Sequence, residues 1–241
     1  MLMTTPADIE HVLYDGALEY SDAPSERGFR APISRDELLQ WERSRVTVGE
    51  PRCWPITDFF SIGTLPQPIT SQLKQADFFV VRLACNFRAG RESHLEWAQF
   101  SVELTPDGSD LPPPLAFDLH PQEVSEERKT NYKIELSPGL KFKERAEVSL
   151  GKAGVEFEYK ELVPAITAYG AEQSIFGWSL EKTPLHPLEG IRWFHVVMEK
   201  PKSVGRVHAR FEVLADVVTP RGLWRAALRN QETMQLERDI C

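Results

Sequence analysis

From Asn131 to Val218 the chain alternates apolar and polar residues almost without interruption. A two-residue period is the mark of strands that bury one face, because successive side chains on a strand point to opposite sides. Residues 146–150, 155–159, 175–180, 192–198 and 207–217 each read as such a strand. The spacing predicts a hairpin between 192–198 and 207–217 with Glu199 opposite Val204. That register groups Phe194, Val196 and Met198 with Val207, Ala209, Phe211 and Val213 on a core face. Trp193, His195, Arg206, His208 and Arg210 then share the other face. A second hairpin is expected between 146–150 and 155–159, with Gly151 and Gly154 supplying the positive φ of a tight loop.

Further strands are expected at 78–87, 95–104, 114–120 and 131–136, which brings the count to about nine. Their intervals suit an antiparallel β-sandwich better than alternating β and α units. Pro112, Pro113 and Pro114 cannot donate to a ladder, so they mark an exposed connection. Residues 1–75 read as an N-terminal helical or irregular extension. In it, Ser34 and Glu37 have capping-box spacing and predict a helix over 35–45, and Ile9, Val12 and Leu13 suggest another short one. Trp54, Phe59 and Phe60 are too apolar for a free linker and are expected to pack on the sandwich, which spans 76–219. After Thr219-Pro220, residues 220–241 read as an amphipathic helix, with Leu223, Trp224 and Leu228 proposed to bind a partner and Arg221, Arg225 and Arg229 opposite.

A net charge of −8 argues against a broad nucleic-acid footprint. Cys53, Cys85 and Cys241 form no CxxC pair, which suits a reducing cytosol, and Cys85 sits in an apolar run typical of core. The N-terminus has no signal-peptide pattern, and no stretch is apolar enough for a membrane helix. The expectation is a cytoplasmic protein with a protein partner, no membrane association and no nucleic acid.

No motif assigns a catalytic residue, a metal site or a cofactor. Gly-x-Ser-x-Gly, His-Glu-x-x-His and the phosphate-binding Gly-Lys loop are all missing. His186, fenced by Pro184 and Pro187 near Glu189, reads as a connecting loop. The most specific constellation is His195 opposite His208 in the expected hairpin, flanked by Trp193 and Arg210, a candidate ligand site. With no third ligand in sequence, it falls short of a metal centre. The leading reading is a non-enzymatic protein-interaction or regulatory β-sandwich module. Its rivals are a small-ligand or carbohydrate-binding sandwich built on Trp193, and a metal-assisted enzyme using His195 and His208.

Overall fold

A one-sided strand needs a second layer to cover its apolar face, and the sequence supplies enough such strands for two sheets. The computed structural model describes residues 8–20, 43–60, 62–124, 131–136, 140–141, 155–158, 165–183, 188–220, 222–227 and 237–241. In chain order the strands are β1 (Val12–Ala17), β2 (Glu19–Tyr20), β3 (Arg45–Gly49), β4 (Arg52–Pro55), β5 (Ala76–Arg88), β6 (His94–Pro106), β7 (Leu115–His120), β8 (Glu123–Val124), β9 (Asn131–Leu136), β10 (Leu140–Lys141), β11 (Val155–Glu158), β12 (Ala165–Tyr169), β13 (Ile175–Glu181), β14 (Gly190–Pro201), β15 (Val207–Thr219), β16 (Gly222–Ala227) and β17 (Glu237–Asp239). One short helix, α1 (Gln67–Gln72), begins with a proline in its first turn, where the missing N–H costs nothing.

Among the described residues, a six-stranded sheet runs β1-β3-β5-β14-β7 with β4 also on β5. An eight-stranded sheet runs β2-β16-β15-β6-β13-β12-β8 with β17 also on β15. A separate three-stranded sheet has the order β10-β9-β11. The two large antiparallel sheets face each other, and the protein is a β-sandwich.

The core between them is a stack of rings. Phe194, from β14, lies 4.4 Å from Trp178 and 5.6 Å from Phe100, which in turn stacks on Phe211 at 5.9 Å. Trp178, Phe100 and Phe211 all come from the eight-stranded sheet, so Phe194 is the ring through which the other sheet engages it. Val196, Met198, Val207, Ala209 and Val213 are buried around this stack, as is Cys85. A second apolar layer covers the outer face of the six-stranded sheet: Ile56, Phe59, Phe60, Leu65 and Ile69 pack on Phe78, Val80 and Val197, with Trp54 at its margin.

Four expectations are corrected. Residues 192–198 and 207–217 form no hairpin: β14 pairs with β5 and β7, and β15 pairs with β6, β16 and β17. The turn after Pro201 carries the chain from one sheet to the other, so the apolar residues meet face to face across the core instead of side by side. The C-terminal amphipathic helix is replaced by β16, joined to β15 by a tight turn in which Thr219 pairs with Gly222. The long edge of β15 overrides helical propensity there, and Asp216 receives Arg225 directly opposite. Residues around Val12 form β1 rather than a helix. Val155–Glu158 pairs with β9, and the expected partner at 146–150 lies outside the described residues. So does nearly all of the helix expected over 35–45, although Arg45 itself opens β3.

Candidate functional site

With β14 and β15 in different sheets, His195 and His208 no longer face each other. His208 sits on the outer face of the eight-stranded sheet, opposite Thr105 and Asp239. Arg210 lies on the same face, opposite Glu103 and Glu237, and is ion-paired to Glu103. His195 is 4% exposed rather than outward in solvent. The correction has a physical cause, the second apolar layer, which covers the face that a simple sandwich leaves wet. The metal-assisted reading of His195 with His208 goes with that geometry. Among the described residues no three His, Cys, Asp or Glu side chains gather into a group that could hold a metal ion. His186 lies outside the described residues, as does Leu228. Leu223 and Trp224 are on β16, at the rungs of Val218 and Val217.

Around His195 the register builds a transverse row. Arg52, Arg82, His195 and His120 occupy one line across β4, β5, β14 and β7. The Arg82 guanidinium is flanked by two indoles, its carbon 5.0 Å from the Trp193 ring and 5.5 Å from that of Trp54. Such contacts strengthen when desolvated, and Arg82 is buried. His120 Nε2 approaches Asp118 Oδ2 at 3.3 Å. The other oxygen of Asp118 accepts the Leu119 N–H and the Gln122 amide, both at 2.8 Å. Burial, with the neighbouring His120 and Arg82 charges adding to it, pushes the His195 pKa down to about 3. A histidine in that state is a neutral polar group at physiological pH, so Arg82 and His195 form a buried polar pair in a row whose Arg52 end is 40% exposed.

Residues 125–164 lie in sequence between β8 and β12, and these two strands pair with each other at Val124–Ile166 and Glu123–Thr167. Within that stretch β9 pairs with β11 from Asn131–Glu158 to Ile134–Val155. Among the described residues β10, β9 and β11 pair with one another and with neither large sheet.

The register of this small sheet is consistent in polarity. Tyr132 is opposite Phe157, Ile134 opposite Val155 and Leu136 opposite Leu140, while Lys133 is opposite Glu156 and Glu135 opposite Lys141. Apolar positions thus share rungs, and so do opposite charges. At the far end of β12, Tyr169 reaches across Gly177, where a Cβ would lie 2.6 Å from its hydroxyl, to bond Ser101 at 2.5 Å. Alternation at 131–136 is plain in the sequence, but alternation alone does not separate a strand of the sandwich wall from one that pairs elsewhere. Among the described residues the distinguishing fact is that β9, β10 and β11 form a sheet of their own.

Cys53 and Cys241 form a disulfide between β4 and the residue that follows Ile240, with Cα atoms 6.2 Å apart. No protein-family model and no curated protein sequence matches the chain. Among solved structures it is similar to the Clostridium perfringens NetB toxin in the membrane inserted form, at 7% identity and a TM-score of 0.33, over 94% of this chain and 99% of that one. It is also similar to Clostridium perfringens delta-toxin, at 10% identity and a TM-score of 0.34, over 93% and 92% of the two chains. Scores of this size do not establish a common fold. The cytoplasmic, regulatory, protein-interaction module is set aside, because a disulfide is at odds with the reducing cytosol inferred from cysteine spacing. Among the described residues no helix is long and apolar enough to cross a membrane, a statement that leaves strands untouched.

Proposed function

We propose that the chain acts on lipid bilayers, inserting residues 125–164 of several assembled copies as amphipathic β-hairpins. The observation that supports this reading is the small sheet β10-β9-β11, in antiparallel register with apolar positions sharing some rungs and opposite charges sharing others. A membrane strand needs about 9–11 residues that alternate between lipid-facing and lumen-facing sides. By sequence, the alternation over residues 140–150, broken at Glu144, has that length.

One hairpin cannot span by itself, because its edge N–H and C=O groups would stand unpaired in hydrocarbon. Closure into a barrel of at least about eight strands takes at least about four copies. The partner on this reading is therefore another copy of the same chain, and the disulfide fits an oxidising compartment.

The test is dye release from vesicles of phosphatidylcholine with cholesterol, and from vesicles with added phosphatidylserine. The full chain is expected to release dye and to yield oligomers that survive detergent. Ile134→Arg places a charge on the lipid side, which costs about 2–4 kcal/mol near the midplane, and should cut release at least about tenfold. Lys133→Gln, on the other side, should leave release within about twofold. Melting curves show whether each variant is folded. No release from either vesicle type, or equal loss from both variants, sinks the reading.

A further inference from the structure

The disulfide joins the two sheets beside the short strand β17. Cys53 is in the six-stranded sheet, opposite Val81, whereas β17 belongs to the eight-stranded sheet. The two cysteines are 188 residues apart in sequence. β17 meets β15 through the pairs His208–Asp239, Ala209–Arg238 and Arg210–Glu237. Two further backbone bonds extend the contact: Ile240 N–H donates to Val207 O at 2.9 Å, and Val207 N–H donates to Cys241 O at 3.3 Å. The Ile240 side chain is buried in the core margin. A strand of three residues opens easily unless it is tied down. The bond to Cys53 keeps its redocking intramolecular and local.

We propose that Cys53–Cys241 is a redox latch whose reduction releases β17 and uncovers the edge of β15 at 207–210, while the rest of the sandwich stays closed. Residues Leu214–Thr219 of β15 remain covered by β16, and the opposite edge of β15 remains paired with β6 along its length. The reductant is a dithiol. One of its thiolates attacks a protein sulfur and breaks the Cys53–Cys241 bond; its second thiol resolves the mixed disulfide. The reductant leaves as a disulfide, and two electrons and two protons end on the protein as two thiols. The third thiol takes no part, because burial holds the Cys85 pKa well above the ordinary range, with Arg192 offsetting only part of the shift.

The test is hydrogen exchange on the full chain, oxidised and in excess dithiothreitol, read by mass spectrometry and paired with alkylation of free thiols. Only Cys85 should remain unlinked before reduction, and it should alkylate only on denaturation. Reduction should speed exchange at 207–210 at least about tenfold and leave 213–217 unchanged. Cys241→Ser should reproduce the reduced pattern without reductant. Unchanged exchange at 207–210, a uniform rise across β5 and β15, or three alkylatable cysteines in the unreduced protein would each overturn the latch. None of these readouts involves a membrane, so the latch and the bilayer reading fail separately.

Discussion

β14 and β15 carry much the same sequence pattern and meet different fates. Each sends alternate apolar residues into the same core. On its other side β14 is buried again, under Ile56, Phe59 and Ile69, whereas β15 presents His208, Arg210 and Glu212 on the outer face. A two-residue period thus determines which side chains of a strand face inward. It does not determine what covers the second side, because that depends on a segment well over a hundred residues earlier in the chain. One local clue does separate the two strands. Val196-Val197-Met198 breaks the alternation with consecutive apolar residues, as does Phe78-Phe79-Val80-Val81 on β5, and an unbroken apolar run belongs to a strand covered on both sides.

The comparison breaks most sharply at the ring stack. Phe194→Ala removes the side chain through which β14 engages Trp178 and Phe100, and should cost about 3–5 kcal/mol in urea unfolding, as large-to-small core replacements do. A loss below about 1 kcal/mol would mean that the two sheets are not held through this stack.

The next effect tests the doubly buried side of β14. An unfolded chain binds a proton to His195 near its ordinary pKa of 6.5, whereas the folded protein resists until about pH 3. Protons therefore favour the unfolded state throughout that window. The His195 contribution is fully present above pH 6.5 and is lost as pH falls, by about 2 kcal/mol between pH 7 and pH 5. His195→Gln should flatten that part of the stability profile. A wild-type profile with no slope there would show that the imidazole is reached by water.

Much of the sandwich was legible. Residues 78–87 and 95–104 are within β5 and β6, and Phe194, Val196, Phe211 and Val213 are all interior. What alternation could not give was pairing, since it is satisfied equally by neighbours in a sheet and by partners across a core. The His195–His208 site rested on that ambiguity and dissolved with it. The C-terminal segment misled for a related reason: Leu223, Arg225 and Ala227 fit a strand as readily as a helix, and only the open edge of β15 decides. The disulfide was hidden because cysteines 188 residues apart carry no local spacing signal. Alternation at 131–136 was visible, but its pairing with 140–141 and 155–158, rather than with a sandwich strand, is a long-range fact.

The smallest effect belongs to the open side of β15. Arg210 lies between two glutamate positions, Glu103 on β6 and Glu237 on β17, and its side chain is 57% exposed. In water its attraction to Glu103 is largely offset by solvation and by the entropy of holding a long side chain still, and measured pairs of this kind contribute about 0.2–1 kcal/mol. Arg210→Ala should therefore shift stability by a few tenths of a kcal/mol, and the shift should shrink further in about 1 M salt, where screening acts over ~3 Å. Had Arg210 been covered like His195, removing it would leave the Glu103 carboxylate buried without its cation, a loss of about 3–5 kcal/mol that salt would barely change. A small, salt-sensitive change therefore marks β15 as the strand with an open side, and a large, salt-insensitive one would erase the distinction between the two strands.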